Sequence, residues 1–420
     1  MADGSGGRAK LFSGVIGALS HKDYRRYATG HVIHVHGWWC SRLGVGWLTW
    51  ELTHSATWLG ILIVASMLPI MLIAPFAGAV ADRYGHKLTA ISAGLVGLAV
   101  TGVIGGLALS GDMTLDLLVW LTILQGLFFG IEFPARQAII PQLVGKENIS
   151  SAVAFNSTTF QVGTFLGPLL AATLIEFFNT GASILVYCGT TLWMMLMLRL
   201  IDVDRLSKNE DRSQSLIADM RAGILYVWDE KGLVYLFMMA ATTGFFLRPY
   251  QDMLPGFADA VFNQGASGLG ALTSASGFGA LFLSFWMVIR TGTKGLVKIL
   301  VIAAFLTALS LIAFSQTPIF IAALPLLAIA SGALLSSQVA IYSLVQTISR
   351  PDMRGRVISL NISIIMGAPA LGALFIGWLA DRIGLSNAVM AAAGIALLVL
   401  ALVSPAILRR RHDIEGIIQK

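Results

Sequence analysis

Residues Trp58–Leu109 read WLGILIVASMLPIMLIAPFAGAVADRYGHKLTAISAGLVGLAVTGVIGGLAL. Two apolar runs flank one short charged turn, Asp82-Arg83-Tyr84-Gly85-His86-Lys87. Each run is long enough to cross a bilayer, which takes ~20 mostly apolar residues. Neither alternates like a barrel strand, and a spanning backbone must satisfy its own hydrogen bonds, so both read as helices. The same reading extends in both directions along the chain. It predicts twelve spans: Tyr24–Trp50, Trp58–Ala81, Leu88–Leu109, Leu115–Ala135, Ile149–Ile175, Ser183–Ile201, Leu233–Ala258, Leu269–Ile289, Leu296–Phe314, Ile319–Leu344, Val357–Ala380 and Ala388–Leu408. The chain of 420 residues is 56% hydrophobic and 12% charged. A soluble domain carries about 25% charge, so the class is an all-α polytopic membrane protein with the lipid bilayer as its first partner.

Charge orders the loops. Glu51–Thr57, Ser110–Thr114, Glu176–Ala182, Asp259–Ser267, Ser315–Pro318 and Asp381–Asn387 hold only Arg382 among their Lys and Arg positions. The alternate connections carry Arg83 and Lys87, Arg136 and Lys146, Arg199 to Lys231, Arg290 to Lys298, and Arg350 to Arg356, and both chain ends are basic. Lys and Arg beside spans mark the cytoplasmic side. The pattern therefore predicts an even number of spans with both termini cytoplasmic; the expected location is a bacterial-type inner (plasma) membrane. The net charge of +6 reports topology, and no basic run comes with a soluble fold that could present it to nucleic acid. Cys40 and Cys188 lie inside apolar spans and form no metal spacing. The polar start MADGSGGRAK and the short, glycine-broken run after it read as no cleavable signal.

The longest polar stretch divides the chain into six and six spans. The expected organisation is an N-terminal half over 1–201, a cytoplasmic linker over 202–231 with a short surface helix near Leu216–Trp228, a C-terminal half over 232–408, and a tail over 409–420. The halves resemble each other. Arg42 aligns with Arg248, and LVGKENISSAVAFN at Leu143–Asn156 aligns with ISRPDMRGRVISLN at Ile348–Asn361. Parallel six-helix repeats with a substrate site between them are a transporter plan.

The turn between spans two and three, Gly78-Ala-Val-Ala-Asp82-Arg83-Tyr-Gly85-His-Lys87, resembles the G-x-x-x-D-R-x-G-R-K signature of the major facilitator superfamily. It departs at His86, where the family usually has Arg. The resemblance covers the whole chain. Phe133-Pro134-Ala135-Arg136, Gly167-Pro168, Leu247-Arg248-Pro249 and Arg354-Gly355-Arg356-Val357 narrow it to the branch of enterobactin, macrolide and lysophospholipid transporters. It implies two pseudo-symmetric six-helix halves. It implies a cytoplasmic gate built from Gly78, Asp82, Arg83, Gly85, Lys87, Arg136, Arg354 and Arg356, with Arg136 and the start of span eleven as partners for Asp82. Gly163, Gly167 and Pro168 resemble the core of the helix-kinking antiporter motif, although a Gly/Pro pair also serves plain helix packing.

Ionisable groups inside spans face a cavity or a partner. In span one, His31, His34, Trp38, Arg42, Val45 and Thr49 share a face at helical spacing. In span seven, Arg248, Asp252, Pro255 and Asp259 do the same, with Gln251 at the margin. Gln125, Glu132 and Arg136 share a face of span four. Asn156, Gln161, Gln338, Tyr342 and Asn361 add polar groups in spans five, ten and eleven. Arg42 and Arg248 either lock helices, by pairing with Glu51, Glu132 or Asp252, or meet substrate. Glu132, Asp252 and His34 are the proton-coupling candidates, and for Glu132 simple pairing with Arg136 competes. His31 and His34 lack a third metal ligand. Trp47, Trp50 and Trp58 fit an interfacial belt.

No Walker loop, nucleophile elbow or zinc-protease motif is present. No cofactor, metal or catalytic residue is expected. The expected function is secondary transport by alternating access, with proton-coupled export of bulky amphipathic small molecules, drugs or siderophores, by a monomer. An importer or lysophospholipid flippase is the alternative reading, and a non-transporting membrane sensor is a third.

Overall fold

The computed structural model describes residues 17–202, 216–289 and 292–416. The MADGSGGRAK start, most of the polar linker and Arg290 lie outside the described residues. Among the described residues all regular structure is helical. The long helices are α1 (Lys22–Thr53), α2 (Ala56–Tyr84), α3 (His86–Ser110), α4 (Leu115–Gln137), α5 (Ile149–Phe177) and α6 (Thr180–Arg199). After a linker helix, Leu216–Asp229, come α7 (Lys231–Val261), α8 (Gly265–Ile289), α9 (Leu296–Gln316), α10 (Phe320–Ile348), α11 (Arg354–Ile383) and α12 (Leu385–Arg409).

Eleven of these helices are long and apolar enough to cross a membrane. The twelfth, α1, has 32 residues, ample for a span. Its polar content holds it back, because Lys22–Arg26, His31, His34, His36, Arg42 and Glu51 all belong to it. The fold is thus the twelve-helix one, and the least apolar helix is the one richest in candidate site residues.

Large apolar side chains stand outward along the spans. Leu72, Phe76, Trp120, Phe177 and Leu402 are all well over half exposed. A water-soluble fold would not leave so much apolar surface bare, whereas hydrocarbon tails match it.

The chain clusters into two compact units. The first comprises the described parts of Met1–Leu48 and Ala65–Glu210. Its core gathers Tyr24, Tyr27, Ala28, Ala135, Met194 and Leu198, and α3 packs on α4 and α6. The second comprises Thr49–Val64 and the described parts of Asp211–Lys420. There α10 packs on α8 and α9, and α12 on α9 and α11, around Leu236, Leu300, Leu344, Val403 and Ile407. The last turn of α1 and the first turns of α2 therefore belong with the second unit.

Helix ends are finished by side chains. Asn179 accepts the Ala182 N–H at 2.9 Å to cap α6, a contact worth ~1 kcal/mol. The C-terminal segment returns onto α9, where Glu415 Oε1 accepts the Val297 N–H at 3.1 Å and its carbonyl accepts the Thr293 hydroxyl at 2.7 Å. The linker helix lies against α11, and its Tyr226 hydroxyl accepts the Arg350 N–H at 3.2 Å.

One expectation needs correction. Span seven is not a uniform helix. Lys231–Thr242 is α-helical, Thr243–Leu247 is a π turn, Arg248–Met253 is a 3-10 segment, and a second π turn covers Phe257–Val261. Pro249 and Pro255 each lack a backbone N–H, which removes donors from the regular ladder. The face expected for Arg248, Asp252, Pro255 and Asp259 assumed one constant α-helical pitch. In a 3-10 turn three residues complete the circle, so Arg248 and Asp252 no longer stack one above the other.

Candidate functional site

Glu132 and Arg136 are spaced i,i+4 on α4, with the acid toward the N-terminus, the favourable order for a helix pair. Arg136 Nε donates to Glu132 Oε1 at 2.5 Å. Its Nη1 reaches across to His31 Nδ1 on α1 at 3.1 Å. All three side chains are buried: His31 is 6% exposed, Glu132 4% and Arg136 3%. A bond donated to Nδ1 makes that nitrogen the acceptor, so the neutral ring carries its hydrogen on Nε2.

The surroundings are aromatic and polar. Tyr27 stacks on His31 with centroids 5.8 Å apart and on Tyr24 at 6.2 Å. Tyr24 donates to the Ala152 carbonyl at 3.0 Å and lies 3.5 Å from Asn156 Oδ1. One turn along α1, His34 is 3% exposed, with Thr191 Oγ1 3.5 Å from its Nδ1 and Tyr187 at 5.1 Å between centroids. Among the described residues, Glu132 Oε2, His31 Nε2, the Tyr27 hydroxyl and Asn156 Nδ2 are buried without a hydrogen-bond partner. Buried polar atoms are normally paired. Glu132 Oε2 is a carboxylate acceptor with no donor, whereas His31 Nε2 and Asn156 Nδ2 are N–H donors with no acceptor.

Beside this group the predicted Trp38 stands among rings that the sequence reading had not assigned to the site. Trp38 faces Phe129 at 6.2 Å and Phe160 at 6.0 Å, with Trp39 edge-on at 5.0 Å. Phe129 stacks on Phe133 at 5.6 Å. Arg42 sits over the Trp38 ring, 5.7 Å from its centroid. Phe129 and Phe133 are spaced i,i+4 on α4, one a turn before Glu132 and the other directly after it, and that spacing was the available signal. Phe133 and Phe160 are each 42% exposed, so the rings offer a surface to a flat or greasy molecule.

Gly163 and Gly167 explain how α1 reaches α5. A side chain at either position would run into Trp39, and Cys40 Sγ approaches the Gly167 carbonyl at 3.5 Å. Pro168 is buried within α5.

The remaining predicted residues disperse. Gln125 donates to Thr101 on α3 at 2.8 Å. Gln161 and Gln338 are half-buried and Tyr342 is exposed. Gln251 donates to the Tyr250 hydroxyl at 3.3 Å, which lies 3.5 Å from Ser276 Oγ. Asn361, aligned with Asn156, is fully buried, and its amide has no hydrogen-bond partner among the described residues. In the signature turn, Asp82 Oδ1 lies 3.6 Å from His86 Nε2, so the nonstandard His stands beside the acid. Arg83 stacks on Tyr84, and Lys87 donates to the Ile201 carbonyl at 2.5 Å and the Arg199 carbonyl at 3.1 Å. Arg136 is engaged with Glu132 and His31, not with Asp82. Arg354 is exposed at the start of α11, and Arg356 Nη1 meets Met353 Sδ at 3.2 Å. No group of three metal-ligating side chains occurs among the described residues.

Twelve long helices with apolar outer surfaces and a buried Glu–Arg pair between their charged ends define an integral membrane transporter of the major facilitator fold. The chain belongs to the transmembrane secretion effector family of that superfamily, whose model matches residues 13–416. It is 23% identical over 369 residues to macrolide efflux protein A of Streptococcus pyogenes, covering 85% of this chain and 89% of that protein. It is 29% identical over 154 residues to the staphyloferrin A transporter of Staphylococcus aureus, a match spanning 36% of this chain and only 38% of that protein. The solved structure of the nucleoside transporter NupG superposes with a TM-score of 0.71 at 12% identity, covering 92% of this chain and 99% of that one. That last likeness speaks to fold alone.

Proposed function

We propose that this protein is a proton-coupled exporter of bulky amphipathic small molecules, of the drug or siderophore kind, working by alternating access as a monomer in a bacterial inner membrane with both termini cytoplasmic. Two six-helix halves, 1–201 and 232–408, would move against each other. The relatives named for macrolide efflux and staphyloferrin transport support the substrate class. The observation that carries the coupling is the buried Glu132–Arg136–His31 group.

Glu132 Oε2 is the open place for a proton. Once it is filled, the Arg136 charge loses its counter-charge while still buried, which is costly. A rearrangement that gives Arg136 water or another acceptor relieves that cost, so proton uptake and conformational change become one step. The aromatic group at Trp38, Phe129 and Phe160 would hold the apolar body of the substrate nearby.

The test is transport of erythromycin or ethidium in proteoliposomes with an imposed pH gradient and a lumenal pH dye. Glu132→Gln should cut substrate-linked proton movement roughly 5- to 150-fold, the range of an ordinary coupling energy, while binding of the probe persists. Full coupled transport by Glu132→Gln would overturn the assignment of the proton site.

A further inference from the structure

The turn joining α1 and α2 is held by two carboxylates from distant parts of the chain. Asp381, at the end of α11, accepts the Ser55 hydroxyl at 2.6 Å, the Ala56 N–H at 2.8 Å and the Thr57 N–H at 3.1 Å. The first N–H groups of a helix have no partner inside it. Ser55 stands where it could cap α2 itself, yet its hydroxyl donates to Asp381. The start of α2 is therefore capped by another helix. Asp259, on α7, accepts the Trp50 indole N–H at 2.9 Å and has His54 Nδ1 at 3.8 Å.

Backbones close in around these bonds. A side chain at Gly60 would strike Ala373, and one at Gly377 would strike Ala56, so α2 and α11 touch with no side chains between them. The whole stretch Thr49–Val64 clusters with the second unit, although α1 and α2 run unbroken into the first. Polar bonds at a partly exposed surface hold it there, with Asp381 and His54 both open to solvent. Such bonds exchange readily with water.

The sequence repeats the design. Gly377-Trp-Leu-Ala380-Asp381-Arg382-Ile-Gly384 shares its Gly, Ala, Asp, Arg and final Gly with Gly78-Ala-Val-Ala81-Asp82-Arg83-Tyr-Gly85. Both stretches end a helix at a left-handed glycine, φ 90° at Gly85 and 86° at Gly384. Both glycines donate their N–H four residues back, to Ala81 and Ala380, at 2.8 Å. The copies differ in what the acid holds. Asp82 has the His86 ring beside it, whereas Asp381 grips a helix start.

We propose that Asp381, assisted by Asp259, is a releasable clasp on the Thr49–Val64 turn, and that each transport cycle must open it. The requirement for opening rests on the alternating-access reading above, whereas the clasp itself does not. While the clasp is shut, the turn is tied to the second unit. Any motion that carries α1 and α2 away with the rest of the first unit must break these bonds.

Two arms test it. In the first, Ser55→Cys is labelled with a membrane-impermeant maleimide, with and without a change at Asp381. Asp381→Ala should raise the labelling rate about tenfold, the scale of losing a helix cap, and Asp381→Asn, which keeps one acceptor oxygen, should fall between. Native Cys40, 1% exposed, stays unlabelled if the fold is intact. Equal rates in all three backgrounds would overturn the clasp. In the second arm, Cys40 and Cys188 become serine, and Ser55→Cys with Asp381→Cys is joined by a short bifunctional thiol reagent. The joined protein should stop moving the probe established in the proteoliposome assay, and cleaving the link should restore transport to the unlinked level. Undiminished transport by the joined protein, or failure of the pair to join, counts against the proposal. If no probe is transported at all, the functional reading fails and the labelling arm still decides the clasp.

Discussion

Arg136 carries three duties at once, and its chemistry fits each. Its guanidinium is always charged and has donors fixed in a planar fork. One donor meets Glu132, another meets His31, and its face lies 5.8 Å from the Phe133 ring centroid. A lysine there would offer a single point charge and lose the fork. Removing either partner of a buried pair strands the other, at a cost of ~3–5 kcal/mol, whereas replacing both with neutral groups is often tolerated. Arg136→Gln alone should therefore lower the midpoint of thermal unfolding in detergent sharply. The double change Glu132→Gln with Arg136→Gln should recover most of the loss while remaining uncoupled in the proton assay. Equal destabilisation by the single and double changes would show that the pair is not the unit that matters.

At the scale of the helix, glycine placement decides how closely elements meet. A methyl group at Gly167 would overlap Trp39 on α1, whereas one at Gly189 on α6 meets nothing within 4 Å. The same substitution should thus have opposite signs. Gly167→Ala should destabilise by about 1–3 kcal/mol through overpacking, and Gly189→Ala should be neutral or stabilising by up to ~1 kcal/mol, because glycine is a poor helix former. Scanning calorimetry of the two purified variants separates these outcomes, and similar losses at both would refute the packing account. Helix-scale features were also where sequence reading stopped. Glu132 with Arg136 was legible because both lie on one helix at i,i+4. His31 joins them across more than a hundred positions of sequence, and Tyr187 approaches His34 from α6, so neither contact has a local signature. Pro249 and Pro255 were visible in the sequence, but extending a constant pitch through them put Arg248 above Asp252, where the backbone turns 3-10.

At the scale of the whole molecule, loop charge remains the strongest statement the sequence makes about orientation. Each long helix crosses once, so successive loops fall on opposite sides. The loops around Asp112, Thr317 and Asn387 belong to the set whose only Lys or Arg is Arg382, and those around Glu147 and Asp352 belong to the basic set. Basic segments resist translocation and stay inside. The Asp381 clasp lies at the Lys- and Arg-poor end, so this orientation places it outside. Single cysteines in a Cys40→Ser, Cys188→Ser background read the arrangement directly. Asp112→Cys and Thr317→Cys should react with an impermeant maleimide added to intact cells. Glu147→Cys and Asp352→Cys should react only after the membrane is opened. Labelling of the second pair in intact cells would invert the topology, place both chain ends outside, and move the clasp to the cytoplasmic face.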